Sequence, residues 1–268
     1  MLYCDLWANS TNYYGSPDLT GTIIADPLFT SSTDYRLRPE SPCIDSGDPL
    51  ILDPDGSRSD IGAYPNSAGI SAKVSDVKAY RKGVMVRLKG KSVTAILGDR
   101  TYVEESNRSN GIGIIGSHSL SEGDTVSILG TLDVVDGEKC LTNPAIEILT
   151  TGNTPLSPLG LINRSLGGGD WFYDLATGTG QRGITGGFGL NNIGLLVRTC
   201  GAFGYIDEHT FTVNDGSGFD VKCIAPDDVA LNESWGYVVV TGISSCEIVG
   251  PELHRLIRVR SQDDIVPY

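Results

Sequence analysis

Short runs of β-branched or alternating residues, separated by clusters of Gly, Asp, Asn and Pro, make up most of the chain after residue 70. Typical runs are VMVRL (84–88), TVSILGTL (125–132), HTFTV (209–213) and GYVVVTG (236–242). Runs of this length between turn residues predict strands, and a sustained helical period is nearly absent. The 34 glycines among the 268 residues provide the positive-φ positions that many tight turns need. The sequence therefore predicts an all-β protein.

Two segments after residue 70 are similar to each other. The first contains GDRTYVEESNRSNGIGI, LSEGDTVSILGTL and AIEIL, and the second contains DEHTFTVNDGSGFDVKCI, LNESWGYVVVTGI and LIRVR. Each predicts two strands joined by a Gly-bearing turn, then a long strand containing Gly, then a final strand. With the runs VMVRL (84–88) and LLVRT (195–199) that precede them, each segment has five strands, which fit a small closed Greek-key barrel. The segments resemble the OB-fold in tandem, and we expect five-stranded OB-like barrels in residues 71–150 and 193–268.

The tandem interpretation predicts which strands are equivalent. Thr101–Glu105 should occupy the same strand as Thr210–Asn214. The long strands should also match, with Gly130 and Gly242 at equivalent places. Glycine inside a strand often marks a bend or bulge, and a small barrel needs such a bend in its longest strand to close.

Residues 151–192 lie between the two predicted barrels and are rich in Gly and Pro, which indicates a long loop or linker. Four aromatic residues, Trp171, Phe172, Tyr173 and Phe188, are more than a solvated spacer needs. We interpret the segment as a loop that packs against one or both barrels. A free linker is the alternative.

Residues 1–70 carry three motifs in order: DPLF (26–29), DYRLRPESPCIDSGD (34–48) and DPDGSRSDIGAY (53–64). Together they resemble the C-terminal end of secreted right-handed parallel β-helix proteins, the pectate-lyase-like superfold of bacterial surface and polysaccharide-active proteins. The resemblance implies a last rung and cap, an extracellular or cell-surface location, and a polysaccharide or cell-surface glycan as partner. The stack of repeating rungs is missing. A last rung exposes apolar surface that a terminal segment must cover, which supports a cap.

Asp53, Asp55 and Asp60 surround Arg58 in the third motif, and they allow three interpretations. Carboxylates could bind calcium, which takes six to eight oxygens, but the spacing does not match an EF-hand and Arg58 disfavours a cation. A pair of catalytic carboxylates would need a sugar-binding cleft, and the catalytic groove of the β-helix family lies along the missing rungs. We favour a structural cap, in which Asp side chains accept from backbone N–H groups and Arg58 holds nearby carboxylates or carbonyls.

The formal net charge of −13 opposes generic binding to nucleic acid or to an anionic membrane. One basic cluster lies within residues 73–100. Its members are Lys73, Lys78, Arg81, Lys82, Arg87, Lys89, Lys91 and Arg100. Because OB-folds bind oligonucleotides or oligosaccharides on the face of their middle strands, Arg87, Lys89, Tyr102 and Arg108 are candidate ligand-binding residues. A solvated strand edge protected by lysines is the alternative that we favour.

Several other classes of site have no support in the sequence. The six cysteines (Cys4, Cys43, Cys140, Cys200, Cys223 and Cys246) form no C-x-x-C pair. The three histidines lie far apart, no G-x-S-x-G elbow is present, and GGGD (167–170) lacks the Lys-Ser/Thr of a phosphate loop. No apolar run approaches a membrane span. The start MLYCDLW has no signal-peptide pattern, so the chain is either cytosolic or a fragment whose beginning lies elsewhere.

Three hypotheses of function follow from this sequence. The first is a non-catalytic accessory region of a secreted or cell-surface bacterial β-helix protein, which needs no cofactor and serves either for carbohydrate or surface attachment or for spacing and stabilisation. The second is the C-terminal part of a polysaccharide lyase or hydrolase whose active site lies upstream, so that this chain alone is not an enzyme. The third is binding of single-stranded nucleic acid by the OB-like barrels.

Overall fold

The structure, a computed structural model, describes residues 2–13, 15, 18–29, 31–38, 41–53, 58–64 and 73–268. Strands take up 42% of the described residues and helices 5%, so the predicted all-β class is confirmed. The chain divides into two compact units. The first comprises Met1–Ala72 and Val84–Arg87, and the second comprises Lys73–Gly83 and Leu88–Tyr268. Among the described residues, no helix is both long and apolar enough to cross a membrane.

The first unit contains isolated bridges in its described part. Asp5 pairs with Ile23 in parallel, and two further bridges, Phe29 with Leu37 and Leu52 with Arg58, are antiparallel. Tight turns are closed by aspartates, as expected, because Asp18, Asp26, Asp34 and Asp48 each accept from the backbone N–H two residues on.

Arg58 binds backbone carbonyls within the first unit. Its Nε donates to the carbonyl oxygen of Gly47 at 2.7 Å, and its Nη2 donates to that of Ser46 at 3.3 Å. The guanidinium therefore holds one turn of the chain in place.

A closed five-stranded barrel follows the short helix α1 (Val74–Ala79). The barrel strands are β1 (Met85–Leu97), β2 (Arg100–Glu104), β3 (Gly111–Ile115), β4 (Thr125–Val135) and β5 (Glu138–Thr150). Their order around the barrel is β1-β2-β3-β5-β4. The pairings of β1 with β2, β2 with β3 and β4 with β5 are antiparallel, and that of β3 with β5 is parallel. We call this structure the first barrel.

The connecting segment 151–192 is ordered and packed. It contains β6 (Leu159–Gly160), a 3₁₀ turn (Asn163–Ser165), and a hairpin of β7 (Trp171–Asp174) with β8 (Thr179–Gln181). Leu166 is fully buried in the core of the strands that follow, and Gln181 accepts from the backbone N–H of Lys139 at 2.6 Å. The segment is thus a loop packed against both barrels rather than a free linker.

Glycine is required where this segment folds back on itself. Gly168 has a φ of +69°, and a Cβ atom there would lie 2.1 Å from the carbonyl oxygen of Leu190. No residue with a side chain fits that close approach.

A second ring of five strands lies at the C-terminal end of the chain. Its seven-stranded sheet comprises β6 and six further strands, which are β9 (Leu196–Tyr205), β10 (Thr210–Asn214), β11 (Asp220–Ile224), β12 (Tyr237–Val249), β13 (Glu252–Arg258) and β14 (Ile265–Pro267). Because β12 pairs with β9 as well as with β13, the ring closes in the order β9-β10-β11-β13-β12. We call this ring the second barrel.

The two barrels have the same strand order, and in each the third and fifth strands pair in parallel, β3 with β5 and β11 with β13. The equivalent second strands are β2 and β10, and the equivalent fourth strands are β4 and β12. Gly242 is tightly confined, because a Cβ atom there would lie 2.4 Å from the carbonyl oxygen of Arg258. Gly130 has more room, because a Cβ atom there would lie 3.2 Å from the Cβ of Leu141. It lies at a register shift between β4 and β5.

Candidate functional site

The outer face of the second strand differs between the two barrels. In the first barrel Arg100, Tyr102 and Glu104 alternate along β2 and so share one face. Tyr102 packs against Leu196 and Ile243 of the second barrel. The backbone N–H of Leu196 donates to Glu104 through a short hydrogen bond. This face is therefore covered by the second barrel.

Glu138 is the centre of a buried polar network at the junction of the barrels. Its carboxylate accepts from the hydroxyl of Tyr102 at 2.9 Å and, through a short bond, from the hydroxyl of Ser245. The guanidinium groups of Arg100 and Arg258 lie 3.7 and 3.9 Å away. Because the Glu138 side chain is only 2% exposed, this network joins the barrels and leaves no opening for a ligand.

Two further ionisable groups are buried close to the junction. Lys78 donates from Nζ to the carbonyl oxygen of Ile193 at 2.6 Å, and burial lowers the pKa of its ammonium to about 8. Burial raises the pKa of Glu104 to about 7. Neither group is exposed to solvent, so we interpret both as part of the junction rather than as catalytic groups.

The equivalent face of the second barrel is open. Phe211 and Val213 of β10 are buried in the core, so the alternating residues Thr210, Thr212 and Asn214 lie on the outside. The same alternation on β11 places Val221 and Cys223 inside and the polar residues Asp220 and Lys222 outside. A polar outer surface thus spans the second and third strands of this barrel.

A groove of about 250 Å³ lies on this surface. Strands β10 and β11 supply Thr212, Asp220 and Lys222, the β12–β13 hairpin supplies Glu247, Glu252, Leu253, His254 and Arg255, and the connecting segment supplies Ile184 and Thr185. We call it the β10–β11 groove. Its residues come from three separate parts of the sequence, and they provide both hydrogen-bond donors and acceptors.

Most charges of the β10–β11 groove are paired. Lys222 Nζ lies 2.8 Å from Glu247 Oε2, and His254 Nε2 lies 3.0 Å from Glu252 Oε2. Asp220 accepts from Asn214 Nδ2 at 2.5 Å. The groove is therefore polar but locally neutralised.

Arg255 differs from these residues. Its guanidinium lies over the ring of Phe219 at 4.5 Å, a cation–π arrangement. Its Nε and Nη2 atoms are buried and have no hydrogen-bond partner. Burial also lowers the pKa of this guanidinium. A cationic donor without an acceptor is energetically unfavourable, and this marks Arg255 as the unusual residue of the groove.

The ligand-binding residues expected from the sequence do not form one surface. Tyr102 is fully buried at the junction rather than exposed, so its ring offers no stacking face. Arg108 donates from Nη1 to the carbonyl oxygen of Ser157 at 3.1 Å. Lys89 is exposed and Arg87 is half-buried.

The wider basic cluster is also dispersed. Lys78 and Lys91 are buried, with Lys91 paired to Glu105 at 2.9 Å. Arg100 is held in the junction network by Asp136 at 2.9 Å. The cluster in the sequence is therefore not a continuous basic surface in the structure.

The aspartates proposed as an alternative calcium site bind backbone groups where they are described. Asp60 Oδ1 accepts from the backbone N–H of Asp45 at 2.8 Å, and Asp53 Oδ2 accepts from that of Asp60 at 3.1 Å. Asp55 lies outside the described residues. In the part of the chain that the structure describes, no group of three or more His, Cys, Asp or Glu side chains could hold a metal ion.

Sequence reasoning did not identify Arg255, Phe219 or the groove. The tandem pattern could have identified part of the groove. It assigns HTFTV and FDVKCI to the second and third strands of the second barrel, and this places Thr212 and Lys222 on the outer face. The pairing of Arg255 with Phe219 has no signal in the sequence, since it depends on how the hairpin packs.

Comparison with known proteins finds no matching family model, no matching curated protein and no matching solved structure. The function is therefore inferred from the groove and from the arrangement of the strands.

Proposed function

We propose that this chain is a non-catalytic accessory region of a secreted or cell-surface β-helix protein, and that its second barrel binds an oligosaccharide in the β10–β11 groove. The observation that carries the proposal is the open polar surface on the second and third strands of a ring ordered β9-β10-β11-β13-β12. In OB-folds this surface, together with the loop between the fourth and fifth strands, binds oligonucleotides and oligosaccharides. The β12–β13 hairpin is the corresponding connection here.

The chemistry of the groove favours a sugar over a nucleic acid. Sugar hydroxyls both donate and accept hydrogen bonds, and the groove offers Lys222 and His254 beside Asp220, Glu247 and Glu252. A nucleic acid would require a net positive surface, whereas the groove carries three carboxylates, Asp220, Glu247 and Glu252, one of which pairs with Lys222 at 2.8 Å. The net charge of −13 of the whole chain also disfavours binding of a nucleic acid.

The first unit supports the β-helix part of the proposal. The parallel bridge joins Asp5 and Ile23, which are 23 − 5 = 18 residues apart. Hydrogen bonds from Leu6 to Ile23 and from Ile23 to Cys4, at 3.0 and 2.9 Å, continue this parallel pairing. One turn of a parallel β-helix brings successive segments together in this way. We therefore propose that the unit is the final rung and cap of a longer solenoid.

The test is direct binding of oligosaccharides to the purified chain, measured by isothermal titration calorimetry. The informative variant is the double substitution Lys222→Met and Glu247→Gln, which removes a charged pair from the groove but keeps the volume of both side chains. Because these side chains are 35% and 28% exposed, the pair contributes at most about 1 kcal/mol to stability, and the variant should fold.

The matched control is Lys89→Met, which removes an exposed charge from the first barrel. We expect the double variant to lose binding and the control to retain it. Equal binding by all three proteins would contradict the assignment of the groove. Preferential binding of single-stranded DNA that Lys89→Met weakens would support the nucleic-acid hypothesis instead.

A further inference from the structure

We propose that the oligosaccharide bound in the β10–β11 groove carries an anionic substituent, a carboxylate or a sulfate, and that Arg255 is the residue that receives it. This inference rests on the proposed function and specifies its ligand class. Arg255 is one of the residues that line the groove, and the fork of N–H donors of a guanidinium matches the geometry of a planar oxyanion.

The state of Arg255 is the observation behind this inference. Its Nε and Nη2 atoms have no acceptor, although together they form one edge of the guanidinium fork. Among the described residues, the other charged side chain with a buried, unpartnered polar atom is Glu104, which belongs to the barrel junction. Arg255 is thus the unsatisfied cation of the groove.

The position of Arg255 is supported before any ligand binds. The guanidinium lies on the ring of Phe219 at 4.5 Å, and that ring follows the turn between β10 and β11. Stacking on an aromatic face restricts the rotamers of a long side chain, so less entropy is lost when an anion binds. Pre-positioning of this kind is typical of a binding residue.

The neighbouring carboxylates do not satisfy Arg255. Glu247 is paired with Lys222, Glu252 lies beside His254, and Asp220 is bonded to Asn214. The groove has a formal charge of 2 − 3 = −1, from two cationic residues (Lys222 and Arg255) and three carboxylates (Asp220, Glu247 and Glu252). That balance disfavours a densely charged polyanion, so the case for a single anionic group rests on the unpartnered donors of Arg255.

The experiment compares three oligosaccharides of equal length and linkage: one neutral, one with a carboxylate at C6 and one with a sulfate at C6. Each is titrated into the wild-type chain and into Arg255→Met, Arg255→Lys and the control Lys89→Met, all at the same ionic strength. Circular dichroism verifies that each variant is folded.

We expect the wild-type chain to bind at least one anionic oligosaccharide about 10- to 100-fold more tightly than the neutral one, which is the range of a charge-assisted hydrogen-bonded pair. Arg255→Met should remove this preference, Arg255→Lys should retain part of it, and Lys89→Met should leave it intact. The carboxylate and sulfate ligands then identify which anion is preferred.

Three outcomes overturn the inference, and they are distinguishable. Equal binding of neutral and anionic ligands by the wild-type chain would leave the proposed function standing and refute the anionic ligand. A preference that persists in Arg255→Met would refute the role of Arg255. If no oligosaccharide binds at all, the proposed function fails and the inference fails with it.

Discussion

Removal of the Glu138 carboxylate is the perturbation that most directly tests how the two barrels are joined. In Glu138→Ala the hydroxyls of Tyr102 and Ser245 lose their acceptor, and the guanidinium of Arg100, whose side chain is only 12% exposed, loses a carboxylate 3.7 Å away. Removal of one partner from a buried charged network costs about 3–5 kcal/mol, a large part of the 5–15 kcal/mol typical of a folded protein.

The assay is urea denaturation followed by tryptophan fluorescence. Trp171 is a suitable probe, because its indole Nε1 donates to the carbonyl oxygen of Ser75 at 2.9 Å and should lose that contact on unfolding. The control Glu147→Gln changes an exposed glutamate on the same strand and should shift the free energy of unfolding by less than about 0.5 kcal/mol. A loss below about 1 kcal/mol in Glu138→Ala would show that the network does not stabilise the junction.

Three further predictions concern the buried charges, the barrel glycine and calcium. Stability should fall as the pH rises from about 4.5 to about 7, because Glu104 keeps its proton longer in the folded state. It should rise again from about 8 to about 9, because Lys78 and Lys139, whose pKa burial lowers to about 8, lose their protons earlier in the folded state; thermal melts across pH that show no minimum near neutrality would contradict this. Gly242→Ala should lower the free energy of unfolding by about 1–3 kcal/mol, because the added Cβ would lie 2.4 Å from a carbonyl oxygen. The control Gly160→Ala should be tolerated in the same denaturation assay, because its Cβ would have no atom within 4 Å. Millimolar calcium should leave the melting temperature unchanged, because the described carboxylate of Asp60 binds a backbone N–H; a saturable rise would indicate a calcium site.

The all-β class was predictable from sequence because strand alternation and turn chemistry are local. Thr210–Asn214 shows the alternation, since Phe211 and Val213 point inward while the polar residues beside them point outward. The glycine pattern was informative to a lesser degree. Gly242 is confined by backbone atoms, but Gly130 has more space around it, so similar positions in sequence do not have equal steric constraints.

The site was harder to predict because it depends on contacts between distant segments. Tyr102 is an aromatic residue of the kind that stacks on bases or sugar rings, yet the second barrel covers it. Lys91 belongs to a basic cluster in the sequence and is expected at the surface, yet it is buried against Glu105. Arg255 lies over the ring of Phe219, which belongs to a different hairpin. Burial by docking is a tertiary property, and local patterns do not encode it.

Chemical-shift mapping on the ¹⁵N-labelled chain, titrated with the anionic oligosaccharide that binds most tightly, tests the central claim most directly. If the β10–β11 groove is the binding site, the largest backbone shifts should lie at Thr212, Lys222 and Arg255, which line it. Shifts that centre instead on Lys89 and Arg108 in the first barrel, or no shifts at saturating ligand, would contradict the assignment of the groove.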